Sequence, residues 1–112
     1  MAESIDTIIA WHKQTFPDET LAGQKDKYIE ELNECLWADP KDELSELADM
    51  IIVSAGIMRF DPAQYRYLDC AYRLAVAFGY DFDDLWQAVD KKMQTNRARK
   101  WVKQAEGNYH HV

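Results

Sequence analysis

Closely spaced carboxylates on two neighbouring segments are the residues of this sequence best suited to chemistry. The two segments read Glu30-Glu31-Leu32-Asn33-Glu34 and Glu46-Leu47-Ala48-Asp49. Residues three apart on a helix are surface neighbours, with about 5–6 Å between their Cβ atoms. If both segments are helical, Glu31 pairs with Glu34 and Glu46 pairs with Asp49.

Four carboxylates held close together repel one another unless a cation lies among them. Oxygen ligands suit hard Mg²⁺ or Mn²⁺ and do not suit zinc or copper. Bound Mg²⁺ keeps coordination positions for water and for substrate phosphates. The pattern therefore predicts a Mg²⁺ site for phosphate chemistry, in which Mn²⁺ can substitute.

The alternative is an acidic helix face that only keeps the protein in solution. Other acidic residues also stand three apart: Glu3 and Asp6, Asp39 and Asp42, Glu43 and Glu46, Asp81 and Asp84. The net charge is −7, from 20 acidic and 13 basic residues. A non-catalytic helical-bundle interaction protein, including an acidic regulator with a basic partner, would have the same composition. The charge balance argues against a nucleic acid polymer as partner, because such binding needs a basic face.

A basic segment near the carboxyl end could bind the phosphates of a substrate. Lys92, Asn96 and Arg99 lie four and three residues apart, so they share one face of a helix. Lys and Arg donate charge-assisted hydrogen bonds to phosphate, and Arg offers a planar fork of donors. Alternatively, basic residues in a last turn simply complement the helix dipole. Trp11, His12 and Trp37 are candidates for a substrate base pocket, although aromatic residues at helical spacing usually belong to the core.

The elements that must position these residues are helices. Apolar residues recur at helical spacing, and Gly and Pro fall between the periodic segments. The predicted helices span residues 4–16, 20–38, 41–59, 63–78 and 84–100. Asp39-Pro40 separates the second helix from the third, because the residue before proline leaves helical geometry. This short connection favours an antiparallel hairpin that brings the four carboxylates together.

The sequence predicts an all-α fold: one domain over residues 1–112, a bundle of about five helices around the carboxylate hairpin. The segment from about Trp101 is expected to be loose or docked on a partner. The longest apolar stretch, Met50 to Met58, is too short to span a bilayer, so no membrane partner is expected. Acidic residues interrupt any signal peptide at the start, and two separated cysteines indicate a reducing compartment. We therefore expect a cytoplasmic protein.

The carboxylate pattern resembles the signature of the MazG-like family of all-α NTP pyrophosphatases. That signature is EExxE, a spacer and ExxD; here eleven residues separate Glu34 from Glu46. The resemblance implies that Glu31, Glu34, Glu46 and Asp49 bind Mg²⁺, with Glu30 as an accessory. It also implies that Glu31 or Glu34 activates the attacking water. The segment from Lys92 to Arg99 is similar to the Lys-x-x-x-Asn-x-x-Arg segment of the superfamily.

The same resemblance implies an activity and an assembly. A nucleoside triphosphate would be cleaved between its α and β phosphates, giving a monophosphate and pyrophosphate. Relatives include dimeric dUTPases and house-cleaning enzymes for non-standard nucleotides, so a homodimer or homotetramer is expected. Gln24 and Lys25 occupy positions where relatives often have polar substrate contacts.

Overall fold

Five α-helices make up most of the part of the chain that the structure describes. The computed structural model describes residues 2–103 and 109–111. The helices are α1 (Ile5–Thr15), α2 (Leu21–Leu36), α3 (Pro40–Met58), α4 (Arg66–Ala77) and α5 (Phe82–Ala98). The prediction of an all-α protein is confirmed. Every helix boundary lies within a few residues of the predicted position.

Side-chain caps and one proline determine where these helices begin. The Ser4, Thr20 and Asp81 side chains each accept a hydrogen bond from a backbone N–H in the first turn of α1, α2 and α5. Such caps satisfy N–H groups that have no partner within the helix. Pro40 occupies the first turn of α3, where its missing N–H costs nothing. The first residues of these four helices are thus determined by local sequence.

Helix α3 is the centre of the domain and packs against α1, α2, α4 and α5. Its second half is buried on all sides, and every residue from Met50 to Ile57 is buried. Helices α2 and α3 run antiparallel: Glu31, late in α2, lies near Asp49, whereas Gln24, early in α2, lies near Gly56. The predicted hairpin is present, and its carboxylates lie on the best-packed helices of the molecule.

The structure differs from the sequence prediction at two elements. The predicted fourth helix is divided: Pro62–Gln64 forms a short 3₁₀ turn, and α4 begins at Arg66. The segment predicted to be loose or docked on a partner contains two short strands, β1 (Trp101–Lys103) and β2 (Tyr109–His111), which pair antiparallel. The Trp101 indole packs against the rings of Trp11 and Phe16. Aromatic burial therefore anchors the beginning of this segment to the core.

Helix α4 keeps part of its apolar surface exposed. Leu68 and Ala75 are buried against the domain, whereas Tyr65, just before α4, and Val76 are 57% and 73% exposed. Gly79 ends the α4 segment with a φ of +91°, a left-handed conformation that glycine adopts without strain. Among the described residues, no helix combines the length and the apolar character needed to cross a bilayer.

Candidate functional site

Three of the four predicted metal ligands form a compact oxygen cluster. Glu31 projects from α2, and Glu46 and Asp49 project from successive turns of α3. One carboxylate oxygen from each of the three lies within 4.8 Å of the other two. Mg²⁺ binds oxygen at about 2.1 Å, so opposite ligands stand about 4.2 Å apart. Adjacent ligands of the same ion stand only about 3 Å apart, so side-chain movements of an ångström or more would bring all three oxygens around one ion.

The other two predicted carboxylates lie outside this cluster. Glu34 is exposed and lines the same cavity, and its side chain interacts with both Glu31 and Glu46, so it stands at the rim of the cluster and in contact with it. Glu30 is also exposed and forms an ion pair with Lys27 at 3.6 Å. The structure thus separates the four-carboxylate prediction into an inner group of three and Glu34 at its edge.

The pKa values of the three cluster carboxylates are raised above their ordinary values. Burial, followed by the negative charges of Asp49 and Glu34, raises the pKa of Glu31 to about 8. The same causes in the same order raise the pKa of Glu46 to about 7. Burial also raises the pKa of Asp49, although the Lys92 ammonium opposes the shift. Carboxylates that repel one another in a partly dry site gain most from a cation.

Two buried oxygens of the cluster also lack hydrogen-bond partners. Glu31 Oε2 and Glu46 Oε2 are inaccessible to solvent and accept no hydrogen bond within the described part of the chain. An orphaned buried carboxylate oxygen is costly, and a metal ion is one group that satisfies it. The all-oxygen donor set, the spacing and these orphaned atoms fit a hard divalent cation such as Mg²⁺ or Mn²⁺.

Two lysines flank the cluster. Lys92 Nζ on α5 lies 3.1 Å from Asp49 Oδ2. Lys27 Nζ on α2 lies 3.7 Å from a Glu31 oxygen, one helical turn away. Lys92 was predicted to contact substrate phosphates, and the structure places its ammonium on a predicted metal ligand at the cavity wall. Sequence reasoning missed Lys27, although its spacing of four residues from Glu31 was available as a signal.

The carboxylates and lysines line one continuous cavity of about 430 Å³. Its volume is within the range typical of small-molecule sites. The lining includes Glu34, Asn96 and Arg99, as well as the cluster. Helix α5 ends at Ala98, two residues before the predicted end, and Arg99 has an extended backbone yet still lines the cavity. The predicted phosphate-binding trio is therefore brought to the carboxylates.

The aromatic predictions have mixed outcomes. His12 lines the cavity, and its Nε2 lies 2.9 Å from the Ile52 carbonyl oxygen, to which it can donate a hydrogen bond. Trp11 does not line the cavity: it is buried behind Phe16 and Trp101, which do. The large Trp11 ring on the inner face of α1 fills part of the core, and its predicted contact with substrate stays an untested prediction.

Gln24, Glu19 and His12 form a buried polar group at one end of the cavity, and the sequence predicted only part of it. Gln24 lines the cavity as the resemblance suggested, whereas Lys25 does not. Gln24 Nε2 donates a hydrogen bond of 2.8 Å to Glu19 Oε2, and Glu19 Oε1 lies 3.4 Å from His12 Nδ1. Glu19 was missed because it lies in the turn between α1 and α2, where no periodicity indicates which way a side chain points.

Comparison with known proteins gives one full-length relative. A curated dATP/dGTP diphosphohydrolase of Cyanophage S-2L is 29% identical over 112 residues, covering 100% of this chain and 88% of that protein. A solved structure, the Cyanophage S-2L MazG-like pyrophosphohydrolase bound to dGDP and three catalytic Mn²⁺ ions per active site, is 23% identical. It covers 98% of this chain and 94% of that chain with a TM-score of 0.42, which is too low to compare the sites residue by residue. No family model matches the sequence.

The full-length sequence match agrees with the carboxylate pattern. The match runs through both carboxylate helices and the basic segment, because it includes the whole chain. It supports the predicted relationship to the MazG-like NTP pyrophosphatase superfamily, at low identity.

Proposed function

We propose that this protein is a nucleoside triphosphate pyrophosphohydrolase that requires a divalent metal ion. The reaction would convert a (deoxy)nucleoside triphosphate to the monophosphate and pyrophosphate. The observation that carries the proposal is the oxygen cluster of Glu31, Glu46 and Asp49 in a cavity that also presents Lys92 and Arg99. The full-length similarity to a curated dATP/dGTP diphosphohydrolase supports the same reaction class.

Glu31, Glu46 and Asp49 would hold the metal ion, with Glu34 completing the site at its rim. A bound Mg²⁺ ion would neutralise phosphate charge and lower the pKa of a water molecule. Mg²⁺ is the proposed physiological ion, and Mn²⁺ should substitute because it accepts the same oxygen ligands. Glu31 and Glu46 must lose their protons before they can bind the ion.

The other residues of the cavity would position and activate the reactants. Glu34 or Glu31 would take a proton from the attacking water, and the exposure of Glu34 at the cavity favours Glu34. Lys92 and Arg99 present positive charge where the departing pyrophosphate develops negative charge. Asn96 would orient the polyphosphate from the turn of α5 between these two residues.

The biological setting follows from the same resemblance. We propose a house-cleaning role on non-standard nucleotides, in the cytoplasm. A homodimer or homotetramer stays a prediction, and the exposed Tyr65 and Val76 side chains are a surface that such an assembly could bury.

The test is a screen of standard and modified nucleoside triphosphates with Mg²⁺ or Mn²⁺, with pyrophosphate and orthophosphate measured separately. We expect monophosphate and pyrophosphate in equal amounts. Glu31→Gln should abolish turnover, because it removes a charged ligand while keeping the shape of the side chain. Asp26→Asn is the matched control: it makes the same change of charge on the exposed side of α2, outside the cavity.

Two outcomes would contradict the proposal. Release of orthophosphate with a diphosphate left behind would exclude the pyrophosphohydrolase reaction. No turnover of any nucleotide, together with no binding of Mg²⁺ or Mn²⁺, would favour the acidic interaction protein instead.

A further inference from the structure

The aromatic end of the cavity is chemically different from its carboxylate end. Phe16 and Trp101 both line it, with their ring centroids 5.1 Å apart and their planes nearly perpendicular. Trp101 also donates a hydrogen bond of 3.2 Å from its indole N–H to the Asn96 carbonyl oxygen. Trp11 packs behind both rings. The two cavity-lining rings are therefore held by aromatic packing and one hydrogen bond.

The distance between the two ends follows from the helices. Along α2, Gln24 precedes Glu31 by seven residues, and along α3, Gly56 follows Asp49 by seven. Seven residues of α-helix rise about 10 Å. Because α2 and α3 are antiparallel, both displacements point in the same direction. Gln24 and Gly56 thus lie about 10 Å from the oxygen cluster. His12 lies beside Gly56, and its ring centroid is 5.7 Å from that of Phe16, so the aromatic end is on this side of the cavity. Ribose and base would extend to this side if the phosphates lie at the carboxylates.

The floor of this end carries polar atoms without hydrogen-bond partners. Because Gln24 Nε2 donates to Glu19, Gln24 Oε1 is fixed as an acceptor. Buried Gln24 Oε1 makes no hydrogen bond to any described residue; buried His12 Nδ1 makes none either, but it lies 3.4 Å from Glu19 Oε1. The missing Cβ of Gly56 leaves room for both side chains: an added Cβ would overlap Gln24 Oε1 and lie 2.7 Å from His12 Cε1. Apolar walls with a few convergent polar groups are typical of small-molecule sites.

We infer that this end of the cavity binds the nucleobase, and that Trp101, from the C-terminal hairpin, forms one wall of the base subsite. The inference rests on the proposed function, because it takes the phosphates to lie at the carboxylates. It assigns a substrate contact to a segment that the sequence predicted to be loose or docked on a partner. A base in contact with an aromatic ring gains affinity from its π-face whatever its identity.

The test compares Trp101→Ala and Trp101→Phe with wild type. Kinetics are measured on the best nucleoside triphosphate of the screen, and inorganic triphosphate, which has no base, is tested as a competitive inhibitor. Trp101→Ala should raise KM about tenfold to a hundredfold, as expected for loss of one base–aromatic contact, with a small change in kcat. The inhibition constant of inorganic triphosphate should not change. Trp101→Phe should recover most of the affinity, because it restores an aromatic wall.

Trp37→Ala is the matched control, because Trp37 is 88% exposed and does not line the cavity. Trp37→Ala should leave the KM for the nucleotide and the inhibition constant of inorganic triphosphate unchanged. An unchanged KM in Trp101→Ala would overturn the inference and leave the proposed function intact. A parallel rise in KM and in the inhibition constant of triphosphate would also overturn it, because Trp101 would then support the whole site. If wild type hydrolyses no nucleotide, the proposed function fails and the inference fails with it.

Discussion

The affinity of this protein for a divalent ion should depend steeply on pH between 6 and 8. In the metal-free protein the pKa of Glu31 is raised to about 8 and that of Glu46 to about 7, mainly by burial. A metal ion binds the deprotonated carboxylates, so protons compete with it at any pH below these values. Lowering the pH should therefore weaken binding, and raising it should strengthen binding.

The size of the effect follows from the two pKa values. At pH 6 both carboxylates are deprotonated in about one molecule in a thousand, and at pH 8 in about half of the molecules. The dissociation constant for Mn²⁺ should thus fall several hundredfold from pH 6 to pH 8, to order of magnitude. Carboxylates with the ordinary glutamate pKa of 4.5 would be almost fully ionised throughout, and the affinity would then change little.

Titration calorimetry with Mn²⁺ at constant ionic strength measures this dependence. At pH 7, repeating the titration in two buffers of different ionisation enthalpy should show release of about one proton or slightly more per site. Asp49→Asn should bind metal weakly and with a shallower pH dependence, because the Asp49 charge helps to raise both pKa values. Asp26→Asn should follow wild type. A dissociation constant that varies less than threefold between pH 6 and pH 8 would refute the reasoning.

Three further outcomes are expected. Lys92→Ala should lower kcat/KM about tenfold to a hundredfold, with the helical circular dichroism unchanged. The control Lys91→Ala changes the neighbouring residue, which lies outside the cavity, and should have wild-type kinetics. Equal rates in the two variants would show that Lys92 does not contribute to the site. Gly56→Ala should displace the Gln24 amide and raise KM for nucleotides without changing inhibition by inorganic triphosphate; an unchanged KM would show that the amide does not contact the base. Thermal melts should show that the metal-free protein loses stability from pH 5 to pH 8, because the pKa of Glu31 in the folded state is raised above 4.5 and the folded form therefore binds more protons than the unfolded form. Mg²⁺ should reverse this loss of stability. A stability that rises with pH in this window would contradict the raised pKa.

The carboxylate hairpin was predictable from sequence because two strong local rules agree there. Helical spacing determines which residues of α2 and α3 share a face, and the Asp39-Pro40 break turns the chain back on itself. With the rotation and direction of both helices given, Glu31 must approach Asp49. The finer division into an inner group and a rim was not predictable, because it depends on rotamers that place Glu34 outside the cluster.

The aromatic end could not be predicted because its residues come from segments without periodicity. Glu19 lies in a turn, and Trp101 opens a strand of three residues that is too short to show alternation. Trp11 has the opposite problem: helical spacing places it on the inner face of α1, but spacing alone does not separate a core side chain from one that lines a cavity. The partner of each side chain is determined here by how α1 and the hairpin pack on α3 and α5.

The carboxylate end and the aromatic end of the cavity differ in the elements that supply their residues. Asp49 and Gly56 lie on α3, which is buried against four other helices, so the distance between the oxygen cluster and the floor of the base subsite is set by helix geometry. Glu19 and Trp101 instead come from a turn and a short hairpin, outside both α2 and α3. Substitutions in those two segments should therefore alter which base is accepted while metal binding and the position of phosphate cleavage stay the same. A chain of 112 residues could in this way combine a rigid metal site with a base subsite whose sequence can change.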